Sequence, residues 1–542
     1  MKKYILPTLT VLAVALGVVI GVSLSQKANA QRIIYQDGSW HFEQSKIDRL
    51  LQLMETAYVD SLNIDSITDE VMTEMVKRLD PHSAYIPKED LEMVNSELAG
   101  SFSGIGVQFT IQQDTVRIVA VIAGGPSEGV GVLAGDKLIT VDDSLFVGKK
   151  INNEKVMRTL RGEKGTQVKL GVLRAGTPDM LYFTITRGDI PVNSVDAKFI
   201  IEPKVESQKS KDKIGFVRAN KFGETTYREF ISALAELRAQ GATRFIIDLR
   251  ENSGGYMDQA IRMANEFLWR GDMIVYSEGK AYPRFEAKAD GSGRFKDTPI
   301  VVLIDDFSAS ASEIFAGAMQ DNDRAQIIGR RSFGKGLVQQ QLPFDDGSAI
   351  RLTVARYYTP SGRCIQKPYT LGEQGDYEKE LVERWEHGEF YSADSIHFAD
   401  TTTYRTKAGR IVHGGGGIMP DIFVGRDTTL NTPWYNKCVN LAYTYQFAYQ
   451  YTDKNRKELS KFKDWQSLEQ HLLKQNILRE FVAFAKAKGV EPNEAEIAKS
   501  KPLMIRLLNA YIVRDMLGDE GFFPLFERDD EITKKAVEVL AR

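Results

Sequence analysis

The stretch "PIVVLI" at 299–304 is apolar throughout, without the polar alternation of a strand that keeps one face in water. A strand of this kind is buried, and a buried strand demands a sheet inside the core. Its surroundings agree. Upstream, "KIGFVRANKF" and "TRFIIDLR" read as strands. Between them "TYREFISALAELRAQG" sets Phe230, Ile231, Leu234 and Leu237 on one helical face, with Gly241 placed to end the helix. That is a βαβ unit. After "PIVVLI" comes a serine-rich turn and the helix-forming run "SEIFAGAMQ", and an α/β core is expected over 195–428.

With 542 residues the chain exceeds one ordinary domain, and other patterns flank the core. Residues 31–95 read as a helical N-terminal region, with Ile47, Leu50, Leu51 and Met54 at helical spacing. Residues 96–190 break into short β-rich runs punctuated by Gly, such as "VRIVAVIAGG" and "QVKLGVLR", and suggest a compact β-module. Residues 429–542, with "LREFVAFAKAKG" and "PLMIRLLNAYIVRDML", read as helical. The fold class expected is multidomain α/β.

Lys2 and Lys3 precede an uncharged run from Tyr4 to Gln26, and "KANA" follows. Residues 1–30 therefore read either as a cleavable export signal, ending at Ala30, or as an uncleaved membrane anchor. Either reading places the rest of the chain across a membrane, in the cell envelope. Seventy basic residues against 73 acidic ones leave a formal charge of −3, which offers no general attraction to nucleic acid or anionic lipid. Cys364 and Cys438 fit no zinc motif. In an oxidising compartment a disulfide between them is permitted, but two small buried side chains are the favoured reading.

Candidate chemistry centres on "SASASEI" at 308–314. A serine between a buried strand and a helix lies where α/β sheets place their sites, beside free helix N–H groups that can hold an oxyanion. The same turn can be no more than a helix cap, and the local pattern leaves both readings open. None of the six histidines lies in a motif-like stretch of the core; His82 and His413 could reach the site only through folding. Lys335, between Gly334 and Gly336, is an ordinary surface lysine or, if burial depresses its pKa, a base for serine. "DLRENSGGY" ends a strand in Gly254 and Gly255, whose backbone N–H groups could face a reacting carbonyl. A literal nucleophile-elbow pattern, Gly125 to Gly129 around Ser127, falls in the β-module, the wrong context for its chemistry. There is no Walker-type loop, HExxH or EF-hand loop, so neither a metal nor a cofactor is expected.

Taken together, "DDFSASASEIFAGAMQDNDRAQIIGRRSFGKGLVQQ", "LDPHSAYIPKED", "GSFSGIGVQF", "LRGEKGTQVKLGVLR", "DLRENSGG", "RLTVARYYTPSGR" and "GGGGIMPDI" resemble the C-terminal processing peptidases, also called tail-specific proteases. The likeness covers about residues 75–425, in the family's order. It implies Ser310 as nucleophile, Lys335 as general base and Gln339 as the residue orienting that base. An oxyanion hole of backbone N–H groups is implied at Ala311 and at Gly254 or Gly255, with Ser308 and Ser312 left as turn and cap residues. The β-module resembles a PDZ domain, inserted before a ββα-type protease core. Its carboxylate-binding loop corresponds to Gly104, Ile105, Gly106 and Val107. Departures from the pattern are Ser253 in "RENSGG" and Cys364 in "TPSGRCIQ"; neither removes a catalytic group. No motif transfers to the C-terminal helices.

The resemblance thus implies an exported serine endopeptidase that engages protein or peptide substrates by their C-terminal tails. No nucleic-acid partner is expected, membrane contact is confined to the N-terminal segment, and a homo-oligomer or a regulatory partner is compatible. The alternative is a non-catalytic or partner-activated scaffold in which the PDZ module alone engages tails.

Overall fold

The computed structural model describes residues 33–36, 39–42 and 45–542, except 97, 113, 123, 134, 175, 204–212 and 398–399. The expected signal or anchor at 1–30 lies outside them. Among the described residues no helix is long and apolar enough to cross a membrane. The chain divides into two units, Met1–Met75 and Val76–Arg542.

The first unit carries a hairpin, Ile33–Gln36 with Ser39–Phe42, and then the helix Lys46–Ala57, over which the expected apolar spacing runs. Ser45 caps that helix reciprocally: its Oγ accepts from the Asp48 N–H at 3.1 Å, and the Asp48 carboxylate accepts from the Ser45 N–H at 3.1 Å.

At the centre of the second unit is a six-stranded sheet. Its order is Val195–Ile201, Lys213–Ala219, Ala242–Asp248, Ile300–Ile304, Gln326–Gly329, Ile422–Phe423, parallel except for the first pair. Residues alternate between two cores. Val217, Phe245, Ile247, Ile300, Val302 and Ile304 face the helices Thr226–Ala239, Met257–Asn265 and Ala311–Asp321. Phe216, Ile246, Val301, Leu303 and Ile328 face the other way, into Phe447, Phe481, Leu508, Phe523 and Ile532 of the C-terminal helices. The unbroken apolarity of "PIVVLI" follows from this: all of Ile300–Ile304 is buried, odd and even positions alike. The C-terminal region, for which no motif gave a role, is therefore the second cover of the sheet.

A second sheet joins Phe285–Lys288, Met273–Glu278, Ala349–Tyr358 and Leu337–Pro343. Ala84–Ile86 pairs onto its Ala349–Tyr358 strand, so part of the segment expected to be helical supplies a strand. The three residues are too short to carry a readable alternation. The β-module is the sheet Leu181–Thr186, Gln167–Leu173, Lys137–Val141, Thr115–Val121, Val107–Gln112, with the last strand at its edge. It touches the C-terminal helices: Arg117 pairs with Asp453 at 2.6 Å and lies 3.8 Å over the Tyr449 ring.

Candidate active site

The strands Ala242–Asp248 and Ile300–Ile304 end side by side, and the turns that follow them are bound to each other. Ser308 donates its hydroxyl to Leu249 O at 2.8 Å, and Ser312 donates to Asn252 O at 2.8 Å. The Ala309 N–H also donates to Asn252 O, at 3.0 Å. The outer two serines of "SASAS" thus fix the turn, while Ser310 alone of the three lines a cleft of about 470 Å³. Its backbone is held at φ 55°, ψ −113°, a conformation that costs an L-residue on the order of 1–3 kcal/mol. A Cβ on Gly254 would fall 2.7 Å from Ser310 Cβ, so only glycine permits this approach.

The restraint on Ser310 comes from Glu313, three residues on and wholly buried. Its Oε2 accepts from the Ser310 N–H at 2.8 Å and from the Lys335 N–H at 2.9 Å. Its Oε1 accepts from Ser332 Oγ at 2.5 Å and the Gly334 N–H at 2.7 Å. One carboxylate therefore binds the serine turn to the lysine loop. Burial raises the Glu313 carboxyl above its ordinary range, against the pull of these four donors. Sequence reading missed this residue, although Ser310-x-x-Glu313 is a capping-box spacing. Tyr357 adds a second tie, its hydroxyl donating between Ser310 O, at 3.0 Å, and Lys335 O.

Lys335 lines the same cleft. Burial and then the Arg351 guanidinium hold its amine below the usual lysine value, while Glu313 and Asp80 pull it up. Its Nζ makes no hydrogen bond or ion pair with another described residue. A desolvated amine without a partner is suited to act as a neutral base. Gln339 also reaches the cleft, but its amide donates to Thr353 Oγ1 at 3.2 Å, not to the lysine. Thr353 in turn donates to Asp80 Oδ1 at 2.8 Å. His82 completes this wall, with its Nε2 3.0 Å from Tyr377 Oη. Burial, followed by the Lys335 charge, lowers its pKa to about 4.

Of the N–H groups expected to hold an oxyanion, Gly254 donates to Asn252 Oδ1 at 2.9 Å and is committed. Those of Ala311 and Gly255 have no acceptor among the described residues. In the β-module, Ile105 is buried in that module's own core, its carbonyl accepting the Ser127 hydroxyl at 2.5 Å. Ser127 is wholly buried and spent there. The N–H groups of Ile105 and Gly106 donate to no described residue, and Val107, half-buried, opens the edge strand. Both cysteines are free thiols. Among the described residues no group of side chains could hold a metal ion.

A strained serine on a strand-to-helix turn and a half-buried lysine line one cleft, an arrangement in keeping with a serine-type peptidase. Residues 213–378 match Peptidase family S41, 103–185 match PDZ domain, and 434–518 match a family of unknown function, DUF8443. A carboxy-terminal processing protease, CtpA, of Bacillus subtilis is 34% identical over 339 residues, 62% of this chain and 70% of that one. The carboxy-terminal-processing protease of Bartonella bacilliformis is 36% identical over 325 residues, 58% and 71% of the two chains. Among solved structures, a photosystem II D1 C-terminal processing protease aligns over 70% of this chain and 87% of that one, at 26% identity and a TM-score of 0.36. This chain belongs to the carboxy-terminal processing proteases, serine peptidases of family S41 that carry a PDZ domain.

Proposed function

We propose that the protein is an exported endopeptidase working by a Ser310–Lys335 dyad on substrates delivered by their C-terminal tails. The observation that supports this reading is that one cleft is lined by a strained Ser310 and by a half-buried Lys335 whose amine has no hydrogen-bond or ion-pair partner among the described residues. Neutral Lys335 takes the Ser310 hydroxyl proton as Oγ attacks the scissile carbonyl, and the N–H groups of Ala311 and Gly255 hold the oxyanion. Collapse expels the amine, which carries away the proton from Lys335. Water, deprotonated by the same lysine, then releases the acyl group. Recognition of tails fits the edge strand Val107–Gln112, open to β-augmentation, and the uncommitted N–H groups of Ile105 and Gly106 at its start, suited to a terminal carboxylate. Export rests on residues 1–30, as signal or anchor, and assigns the chain to the cell envelope.

A partner-activated state is the second reading. It is favoured by Gln339, whose amide is engaged by Thr353 and leaves the lysine unoriented. The test mixes the purified chain, wild type and Ser310→Ala, with an unfolded reporter ending in a free or an amidated C-terminus. Cleavage by wild type alone, faster for the free carboxylate, is the expected result. Cleavage by Ser310→Ala overturns the dyad; binding without cleavage by wild type selects the second reading.

A further inference from the structure

The turn 249–255 is gripped from two sides, and only one grip belongs to the cleft. On the other side Arg250 is enclosed by three carboxylates. Asp248 takes its Nε at 2.8 Å and its Nη2 at 2.7 Å. The other two come from the end of the chain. Glu527, closing the helix Asp519–Glu527, accepts from Nη2 at 2.7 Å. Asp530, the N-cap of the helix Glu531–Ala541, accepts from Nη1 at 2.8 Å. Thr533 orients both acids, donating its hydroxyl to Glu527 at 2.8 Å and its N–H to Asp530 at 2.8 Å. The side chains of Arg250, Asp248 and Glu527 are 12%, 0% and 5% exposed. Arg218, over the Phe523 ring and paired with Glu251 at 2.6 Å, brings a second cation to the same place.

Attaching a helical layer to a sheet needs no such cage. Apolar residues do that at least as well, and the Phe447–Phe481 core already does. What a forked guanidinium between fixed carboxylates adds is direction. Here the direction is handed on within two residues: Glu251 N–H donates to Asp305 Oδ1 at 2.9 Å, and Asn252 receives Ala309 and Ser312 while fixing Gly254. We infer that the last two helices are a positioning element for the active site. Through Arg250, Glu527 and Asp530 set where 252–255 lie against Ser310, and so where the Gly255 N–H meets the oxyanion. The inference rests on the reading of Ser310 as nucleophile. None of these three residues lines the cleft that holds Ser310.

The test replaces both acids in the full chain, Glu527→Gln with Asp530→Asn, which keeps shape and removes charge. Hydrogen–deuterium exchange over 249–256 is expected to accelerate about ten-fold or more, with the helix Thr226–Ala239 unchanged. Peptide hydrolysis is expected to lose kcat by roughly ten- to a hundred-fold with KM within about two-fold. Unchanged exchange over 249–256 overturns the inference, whether or not the protein cleaves anything. So does a kcat loss no greater than the fraction unfolded. Wild type that fails to cleave, with exchange still altered in the variant, overturns the proteolytic reading and leaves the cage in place. If the double variant does not fold, Asp530→Asn alone, at the more exposed edge, is held to the same two readouts.

Discussion

The two faces of the six-stranded sheet carry equal structural weight and unequal information. The face covered by Thr226–Ala239, Met257–Asn265 and Ala311–Asp321 carries Ser310, the proposed nucleophile, at the start of its third helix, within a recognisable motif. The face covered by the C-terminal helices has an aromatic core of Trp434, Phe447 and Phe481, and none of the candidate site residues stands in it. A strand such as Ile300–Ile304 serves both at once, Val302 inward on one side and Val301 and Leu303 on the other. The candidate chemistry lies at one face, while the other is filled mainly by apolar side chains, with polar groups such as the Thr432–Ser500 pair, Asp515 and the Arg250 cage set among them.

The largest expected contrast is at Lys335. Lys335→Met is expected to lower kcat/KM by about a thousand-fold or more, since removing one member of a nucleophile–base pair disables the unit. The same change is expected to raise the melting temperature at pH 7. The folded pKa of Lys335 lies below that of the free side chain, so the fold disfavours the ammonium. That penalty is present at low pH and vanishes as pH rises past the unfolded value near 10.4. The stabilisation by Met should therefore shrink toward pH 10. A melting temperature that falls at pH 7 contradicts the desolvated amine.

On the other face Phe481→Ala is expected to cost about 3–5 kcal/mol of stability, measured by denaturant unfolding. Phe481 is wholly buried between Trp434 and Phe447. At a temperature where the variant is folded, kcat per molecule should match wild type, because the rings Phe481 packs against, Trp434, Phe447 and Phe484, are not part of the Arg250 cage. A drop in kcat without a drop in stability would break the division between the faces.

How much of this was legible depends on how local the cause is. "PIVVLI" declares itself because burial acts on neighbours in sequence; the local pattern of "SASASEI" leaves a nucleophile and a cap both open, and the choice of Ser310 comes from the resemblance. Glu313 was legible in principle through its spacing from Ser310. The resemblance implies Gln339 as the residue orienting Lys335, but its amide binds Thr353 instead, a pairing that follows a register shift at Val338 and that the sequence does not show. The acids on Arg250 stand about 280 residues away, among many exposed acids of the same kind. A helical period tells that a helix is amphipathic, not which sheet face it covers.

The smallest expected effects are in pH dependence, and the two faces should differ in sign. His82, in the cleft wall, has its pKa lowered to about 4 by burial and the Lys335 charge. The unfolded chain takes up a proton near pH 6.5 that the fold refuses, so this contribution is intact above that value and is lost as pH falls toward 4. Asp515, behind the sheet on the helix Glu494–Leu517, has its pKa raised to about 7, with burial the main cause. The fold keeps a proton that the unfolded chain has released, so its contribution is present below about pH 4 and is lost by about pH 7. His82→Gln should flatten the acid limb of a melting-temperature profile, and Asp515→Asn should flatten the descent between pH 4 and 7. Because Asp515 lies beside Arg456 and Asp453, and Asp453 receives Arg117 of the β-module, Asp515→Asn also shows whether that proton bears on the module's docking. Proteolysis of the junctions flanking 103–185 should then be equally slow at pH 5 and pH 8. If it stays pH-dependent in the variant, the proton held behind the sheet has no part in docking.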